Sequence, residues 1–209
     1  MSAGRLLLLA LVCVGASVTT TVSDWLVVCV SGITCGGKST ATRSIHLKFP
    51  GSVLLRQDDY YLADDDPRHE QLPELGWRNR ELMTSIDMSR MRNDIQLVLN
   101  RKNATMPLLL LDGFQLYYDH HVTSLCHIKL FFLLSKDACK GRRRRRNRRI
   151  PDIDRYFEGY VWPAYLRYRE AALGGNPDVV LVDGGADNTT IVEDICARIR
   201  QRIQTRRLS

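Results

Sequence analysis

Residues 27–40 read V-V-C-V-S-G-I-T-C-G-G-K-S-T, an apolar run followed by a glycine-rich segment. Gly32, Gly37, Lys38 and Ser39 have the spacing G-x-x-x-x-G-K-[ST] of a phosphate-binding P-loop. In such a loop, backbone N–H groups surround a phosphate, the lysine ammonium reaches the β- and γ-phosphates, and the serine hydroxyl can bind Mg²⁺. The motif therefore predicts a site for a nucleoside triphosphate with magnesium.

Around this motif, apolar runs alternate with helical patterns. Strands are predicted at 26–30, 53–55, 108–111, 129–134 and 179–182, and those at 26–30 and 108–111 are expected to be buried. Helices are predicted at 38–48, after an N-cap at Asp87, at 136–146, at 157–173 with a bend at Pro163, and along Ile191, Ile195, Ile199 and Ile203. The polar stretch 62–80 is predicted to be a loop over the site. Strands that alternate with helices favour an α/β fold, with a five-stranded parallel sheet covered by helices on both faces in one domain, 25–209.

The composition supports a globular protein whose positive charge is local. The 209 residues are 44% apolar and 25% charged, with a net charge of +7. Arginines at 142–146, 148 and 149 supply seven of these charges, and the chain without them has no net charge. A uniformly cationic nucleic-acid-binding surface is therefore not predicted.

The arginine run itself has three interpretations. It could be a nuclear-localisation or nucleic-acid-binding patch, a solvated helix face, or a lid whose guanidinium groups close over a phosphoryl group. The lid best explains the use of arginine and the position of the run between a helix and Pro151.

Residues 1–24 precede the predicted domain and resemble a signal peptide, with Arg5 before an eleven-residue apolar run. Such a run is too short to span a bilayer comfortably. Sequons at Asn103 and Asn188 would fit export, whereas a site for ATP favours the cytoplasm. We expect a cytoplasmic protein whose leader is a targeting appendage or an extension; the secretory pathway is the alternative.

The cysteines show no C-x-x-C pair, and neither zinc binding nor a disulfide framework is expected. They are Cys13, Cys29, Cys35, Cys126, Cys139 and Cys196.

Acidic side chains follow several predicted strands, at the edge where ligands gather in such sheets. They are Asp58, Asp59, Asp112 and Asp183, and we expect them to meet in one crevice. The run 108–112 has the Walker-B form, an apolar strand closed by a carboxylate that can hold magnesium. Asp58 is the candidate general base, because a carboxylate facing the γ-phosphate can accept the proton of an attacking hydroxyl.

With these residues in view, the chain resembles the nicotinamide riboside kinases, within the P-loop nucleoside kinases that include uridine kinases. The resemblance covers 26 to about 195. It rests on the P-loop, Q-D-D-Y-Y at Gln57, L-L-L-L-D-G-F at Leu108, C-K-G-R-R at Cys139, Y-F-E-G-Y-V-W-P-A-Y-L-R-Y-R-E at Tyr156 and V-V-L-V-D-G at Val179. It implies a P-loop kinase fold with an arginine-rich lid.

The resemblance also implies roles for individual residues. Catalysis would involve Asp58, Lys38 and Arg143. ATP would contact Gly32, Ile33, Thr34, Cys35, Gly36, Gly37, Lys38, Ser39, Thr40, Arg142, Arg146, Asn147 and Arg148. The nucleoside would contact Asp58, Asp59, Tyr60, Tyr61, Arg80, Glu81, Arg143, Arg148 and Arg149. Mg²⁺ would be held by Ser39, Asp58 and Asp112.

Several positions depart from the family pattern. Asp112 stands in place of a glutamate, and Glu81 in place of an aspartate that binds the ribose. Arg80 and Arg148 stand where the family commonly has aromatic rings around the pyridinium, and Trp77 or Tyr60 are the candidate substitutes. Since guanidinium groups repel a cationic ring, these positions bear on which base is accepted.

The expected activity is ATP- and Mg²⁺-dependent phosphorylation of the 5′-hydroxyl of nicotinamide riboside, with no nucleic-acid partner. Three alternatives are kept: a kinase for uridine or cytidine, a nucleotide-regulated protein that binds nucleic acid through the arginine run, and a secreted or tethered protein with a decayed kinase fold. The oligomeric state is not predicted.

Overall fold

The computed structural model describes residues 24–102, 104–146 and 153–208. The leader up to residue 23, the sequon at Asn103, and Asn147, Arg148 and Arg149 lie outside these ranges. In chain order, the strands are β1 (Leu26–Gly32), β2 (Val53–Arg56), β3 (Gln71–Leu72), β4 (Trp77–Arg78), β5 (Leu108–Asp112), β6 (Ile128–Leu133) and β7 (Val180–Asp183). The α-helices are α1 (Lys38–Lys48), α2 (Met88–Leu99), α3 (His120–Leu125), α4 (Lys136–Arg145), α5 (Ile153–Tyr156), α6 (Trp162–Gly175) and α7 (Asn188–Leu208).

The main sheet has the order β2-β5-β1-β6-β7, and all its strands are parallel. The predicted five-stranded parallel sheet is thus confirmed, with β1 at its centre. In the register, Val28 of β1 lies between Leu110 of β5 and Ile128 of β6. Because every strand runs the same way, the loops after β1, β2 and β5 leave the sheet at one edge.

Helices cover both faces of the sheet, because successive β1 residues alternate between two cores. Val27 and Cys29 belong to the core under α2, α3 and α6, whereas Val28 and Val30 belong to the core under α1 and α7. The predicted apolar face of α2 is buried, as are the first three isoleucines of α7; they are Met88, Met91, Ile95, Val98, Ile191, Ile195 and Ile199. Helix packing on both faces leaves the carboxyl edge of the central strands as the place for a site.

Short polar side chains begin several helices. Asp87 accepts a hydrogen bond from the N–H of Arg90 at 2.9 Å, which confirms the predicted N-cap of α2. Asp119 caps α3 and Ser135 caps α4 in the same way. Helix α1 instead begins at Gly37, whose φ of 98° lies in the left-handed region. Its first N–H groups are therefore not covered by a side-chain cap and face the P-loop.

The stretch 62–80 contains more structure than the predicted loop. Strands β3 and β4 form a small antiparallel hairpin across Gly76, which is left-handed with φ 55°. The predicted helix from residue 157 is also interrupted. Phe157–Val161 forms a π-helical turn, and Pro163 lies at the start of α6. Proline has no N–H to donate to the preceding turn, which accounts for the change in hydrogen-bond pattern just before it.

A disulfide joins Cys29 in β1 to Cys126 at the end of α3, with Cα atoms 5.7 Å apart. No disulfide framework was expected from the sequence, so this bond corrects that expectation. The two residues are 97 positions apart, so no local spacing indicates the pair. Cys35, Cys139 and Cys196 are free and buried. In the described ranges, no helix combines the length and the apolar character needed to cross a membrane.

Candidate active site

A polar cavity opens at the carboxyl edge of β1, β2 and β5. Residues from the P-loop, the loops after β2 and β5, and helix α4 surround it. They are Thr34, Cys35, Gly36, Gly37, Lys38, Ser39, Asp58, Tyr61, Glu81, Asp112, Gly113, Phe114, Arg143 and Arg146. The fold therefore brings the P-loop together with two of the four predicted strand-end carboxylates.

The P-loop backbone depends on two glycines. A Cβ at Gly32 would lie 2.3 Å from the carbonyl oxygen of Phe132 in β6, and Gly32 has a φ of 118°. Gly37 is also left-handed, and its carbonyl accepts the N–H groups of Thr40 and Ala41. Cys35 has a φ of 58°, which a non-glycine residue adopts only when its surroundings hold it there. The loop is thus held open around the cavity by backbone geometry.

Lys38 places a positive charge inside this cavity. Its Nζ donates a hydrogen bond to the carbonyl of Ile33 at 2.7 Å, and only 8% of the residue is exposed. Burial lowers the pKa of Lys38, while the nearby carboxylates of Asp112 and Asp58 act in the opposite direction. A phosphate in the cavity would further stabilise the charged ammonium.

Asp112 and Asp58 face the cavity beside Ser39. Burial raises the pKa of Asp112, against the lowering effects of Lys38 and of a hydrogen bond from Ser39. The Oγ1 of Thr42 also donates to Asp112 Oδ2 at 3.4 Å. A buried carboxylate with a raised pKa is a group that a bound cation would stabilise.

These donors suit Mg²⁺, a hard cation that prefers oxygen ligands and keeps several waters and substrate phosphates around it. Ser39, Asp58 and Asp112 offer one hydroxyl and two carboxylates. The described residues contain no group of three or more His, Cys, Asp or Glu side chains that could hold a metal ion. One hydroxyl and two carboxylates beside the P-loop fit a magnesium ion that is bound together with nucleotide phosphates.

Glu81 and Arg143 form a charged pair in the wall of the cavity. Arg143 is buried, its Nη2 lies 3.7 Å from Glu81 Oε1, and its Nη1 donates to Thr34 Oγ1 at 3.3 Å. The hydroxyl of Tyr156 donates to Glu81 Oε1 at 3.2 Å. The backbone carbonyl of Glu81 accepts from Gln115 at 2.8 Å and from the hydroxyl of Tyr168. Glu81 is therefore fixed at both its carboxylate and its backbone.

The arginines of α4 point in different directions. Arg142 donates to the carbonyls of Cys35, at 3.2 Å, and Gly184, at 2.8 Å, so it braces the P-loop against the loop after β7. Arg146, at the C-cap of α4, lines the cavity, whereas Arg144 pairs with Asp154 on the surface. One helix therefore contacts the loop, the cavity and the surface.

Comparisons with known proteins bear on this geometry. No family model matches the chain. Nicotinamide riboside kinase 2 of Homo sapiens is 28% identical over 195 residues, which cover 87% of this chain and 84% of that relative. Nicotinamide riboside kinase of Schizosaccharomyces pombe is 28% identical over 180 residues, or 68% of this chain and 77% of the relative. This chain is a homologue of the nicotinamide riboside kinases.

More distant similarities define the fold. A uridine kinase of Ureaplasma parvum is 21% identical over 69% of this chain and 82% of its own length. A solved deoxyadenosine kinase from M. mycoides has a TM-score of 0.56 at 15% identity and covers 84% of this chain and 100% of its own. A gluconokinase from Sinorhizobium meliloti has a TM-score of 0.54 at 14% identity, with coverages of 89% and 97%. The predicted P-loop kinase fold is confirmed.

The resemblance to nicotinamide riboside kinases predicted a set of residues that contact the nucleoside. Some of these residues do not lie at the cavity. Gln57–Tyr60 is a 3₁₀ turn, in which residues three apart share a side, so Asp58 and Tyr61 line the cavity together. Asp59 is exposed and pairs with Arg56 at 3.5 Å. The hydroxyl of Tyr60 donates to Asp94 at 2.9 Å, away from the cavity.

Other assigned residues also lie outside the cavity. Arg80 pairs with Asp64. Thr40 is exposed on α1, and the side chain of Ile33 is buried. The expectation that Asp183 joins the other acids is wrong. Asp183 ends the edge strand β7, and its exposed carboxylate accepts the N–H of Gly185 at 2.8 Å.

Gly113 and Phe114 line the cavity and Tyr156 contacts Glu81, but none of the three was assigned to the site from the sequence. Gly113 and Phe114 directly follow the Walker-B aspartate, and their position after a strand was an available signal. A Cβ at Gly113 would lie 2.6 Å from Gln57, so a larger residue there would displace the turn that carries Asp58. Tyr156 reaches Glu81 across 75 residues, which no local pattern indicates.

Proposed function

We propose that this protein transfers the γ-phosphoryl group of ATP to the 5′-hydroxyl of nicotinamide riboside, which gives nicotinamide mononucleotide for NAD synthesis. The observation that carries the proposal is the joint presence in one cavity of the P-loop Lys38, the carboxylate of Asp58 and the Glu81–Arg143 pair. The similarity to nicotinamide riboside kinases over most of the chain supports the same reaction.

The residues act by positioning and charge. The P-loop N–H groups and Lys38 hold the β- and γ-phosphates of ATP. Asp58 accepts the proton of the 5′-hydroxyl as its oxygen bonds to the γ-phosphorus, while the bond from that phosphorus to the β–γ bridging oxygen breaks and ADP leaves. Ser39, Asp58 and Asp112 would hold magnesium, which would neutralise charge on the phosphates. Arg143 and Arg146 add positive charge at the same end.

The acceptor side of the cavity has both polar and aromatic groups. The carboxylate of Glu81 suits the 2′- and 3′-hydroxyls of a ribose, which donate hydrogen bonds. Tyr61 and Phe114 line the cavity with their ring centroids 6.4 Å apart. We propose that these rings, rather than Tyr60, contact the base.

A second acceptor class is favoured by Arg80. Its guanidinium carbon lies 5.3 Å from the centroid of the Tyr61 ring and 5.9 Å from that of Trp77. A cation next to these rings disfavours a positively charged pyridinium and tolerates a neutral pyrimidine. Uridine or cytidine is therefore the alternative acceptor in the same mechanism.

The arginine run fits this reaction better than it fits a nucleic-acid patch. Arg142 is bound to two backbone carbonyls, Arg143 is buried beside Glu81, and Arg144 is paired with Asp154. These side chains are not free to follow a phosphate backbone. Since the proposed donor is ATP, we place the reaction in the cytoplasm.

The test is release of ADP by the full chain with ATP, Mg²⁺ and either nicotinamide riboside or uridine. Turnover with nicotinamide riboside is the expected result. Turnover with uridine alone would show that the pocket beside Arg80 accepts a different base. The catalytic mechanism would then stand, and the assigned acceptor would change. Absence of turnover with both nucleosides, from protein that binds ATP, would contradict the kinase assignment.

Two substitutions test the catalytic roles. Asp58→Asn should lower kcat by about 10²- to 10⁴-fold, because the proton acceptor is lost. Lys38→Ala should abolish turnover, because the phosphates lose their buried cation. The matched control is Asp59→Asn, since Asp59 is adjacent but lies outside the cavity. Circular dichroism checks that each variant is folded, and a normal rate in Asp58→Asn would remove Asp58 from its role.

A further inference from the structure

A second cavity, of about 400 Å³, lies at the opposite edge of the main sheet. One wall is the start of β6 and β7, with Ile128, Lys129 and Val180, together with the preceding His127; the other wall is helix α7. Strand β6 runs from this cavity toward the P-loop, and its six residues span about 20 Å. The cavity is therefore separate from the site described above, and its volume falls in the range of small-molecule sites.

The helix wall is a regular polar stripe. Arg198, Gln201, Arg202 and Thr205 are spaced three and four residues apart, so they share one face of α7. The buried isoleucines of α7 lie on the adjoining face, and their packing holds the polar stripe beside the groove. The spacing places two guanidinium groups on successive turns, where both can reach one ligand.

The groove is positively charged. Three cationic side chains, Lys129, Arg198 and Arg202, face one carboxylate, Asp178, which pairs with Lys129 at 3.0 Å. Within residues 24–102, 104–146 and 153–208, neither Arg198 nor Arg202 has an ion pair or a hydrogen bond with another side chain. By contrast, Arg68, Arg92 and Arg144 elsewhere in the fold are paired with aspartates.

His127 adds an oriented donor. Its Nδ1 accepts a hydrogen bond from the N–H of Val27 at 3.1 Å, so in the neutral ring the proton is on Nε2. Burial lowers the pKa of His127, and the positive charges of Arg206 and Arg202 nearby lower it further. An anion in the groove would meet two guanidinium groups and an N–H donor.

We propose that this groove binds a phosphate-bearing small molecule of the size of a sugar phosphate or mononucleotide. Arg198 and Arg202 hold the phosphate, because guanidinium groups match phosphate oxygens bidentately. The Nε2–H of His127 donates a hydrogen bond, and Ile128 and Val180 form an apolar wall for the remainder of the ligand. This inference does not depend on the reaction at the P-loop.

The test follows the NMR signal of the His127 ring in the full chain, assigned by its loss in His127→Gln. Ribose 5-phosphate is the probe, with inorganic phosphate as the second arm and uncharged ribose as the blank. We expect a saturable shift with ribose 5-phosphate. Equal affinity for inorganic phosphate would identify free phosphate as the ligand, whereas tighter binding of the ester would show that the apolar wall contributes.

Charge-matched variants decide whether the groove itself binds the probe. Arg198→Gln/Arg202→Gln should weaken binding at least about tenfold, because two charged contacts are lost. Arg200→Gln/Arg167→Gln removes the same charge elsewhere, since Arg200 lies over Phe49 and Arg167 is exposed on α6. This control should bind like the original chain, and both variants should keep the kinase rate. Equal saturation in the groove variant, a non-saturable shift, or the same shift with ribose would overturn the proposal.

Discussion

Glu81 is held by more contacts than an ordinary surface carboxylate. The Tyr156 hydroxyl bridges Glu81 and Arg80. It donates to Glu81 Oε1 at 3.2 Å and accepts a hydrogen bond from the N–H of Arg80 at 3.0 Å. Tyr156 is itself buried, and it does not line the cavity. We therefore expect it to position the proposed ribose-binding carboxylate without contacting the nucleoside.

Tyr156→Phe tests this positioning role. The ring volume is kept, while Glu81 loses one donor and the Arg80 N–H loses its acceptor. We expect the KM for the nucleoside to rise about 10-fold or more, since a hydrogen bond to a charged group contributes about 1.5–3 kcal/mol. Initial rates at varied nucleoside and varied ATP separate the two substrates, and the KM for ATP should stay unchanged.

Tyr160→Phe is the matched control for Tyr156→Phe. Tyr160 stacks on Tyr156 at 5.6 Å, but its hydroxyl donates to the exposed Glu74 at 2.5 Å. Loss of that hydroxyl should leave both KM values unchanged. If Tyr156→Phe raised the KM for ATP and the KM for the nucleoside equally, its role would be general packing instead of positioning.

At the scale of elements, the loop after β7 is pressed against the P-loop. A Cβ at Gly184 would lie 2.3 Å from the carbonyl oxygen of Gly36 and 2.8 Å from that of Leu133. Both contacts are backbone atoms, which cannot turn aside as a flexible side chain can. Arg142 of α4 also binds the carbonyl of Gly184, so three elements meet there.

Gly184→Ala should therefore displace the P-loop. We expect a rise of at least about tenfold in the KM for ATP and a loss of about 1–3 kcal/mol in the free energy of unfolding, as for other overpacked sites. Gly174→Ala is the control, because a Cβ at Gly174 meets no atom within 4 Å. Kinetics and urea unfolding measure the two effects, and an unchanged KM for ATP in Gly184→Ala would show that the loop does not depend on this contact.

The sequence predicted the elements whose pattern is strong. Apolar strands such as Leu108–Asp112 are buried on both faces, and α2 shows a clear apolar stripe after a capping aspartate. It did not predict β3 and β4, which have two residues each, or α3, which has six. Elements this short hold too few residues to show a period.

The site was predictable where its residues are local in sequence. The P-loop spacing and the ends of β2 and β5 placed Lys38, Asp58 and Asp112 correctly beside one cavity. Asp59 and Tyr60 were not separable from Asp58 and Tyr61 without knowledge of the 3₁₀ turn. The contacts of Glu81 with Tyr156 and Tyr168 join residues 75 and 87 positions apart, so only the folded chain shows them.

At the scale of the whole molecule, the P-loop joins the two cores. It connects β1, whose side chains enter both cores, to α1, which packs on one of them. It also contacts Phe132 of β6 through Gly32, and Gly184 after β7 through Gly36. A ligand bound there is held by parts of the chain that separate on unfolding, so its binding free energy adds to the stability of the entire domain.

Thermal unfolding with ADP and Mg²⁺ measures this coupling. At a ligand concentration of about 100 times Kd, the added stability is about 2.7 kcal/mol. For a chain of this length, that corresponds to a rise in Tm of about 5–11 °C. Lys38→Ala should lose most of the rise, whereas Arg200→Gln, an exposed residue of α7, should keep it. A full rise in Lys38→Ala would mean that the nucleotide binds away from the P-loop, and a rise without any concentration dependence would exclude binding as its cause.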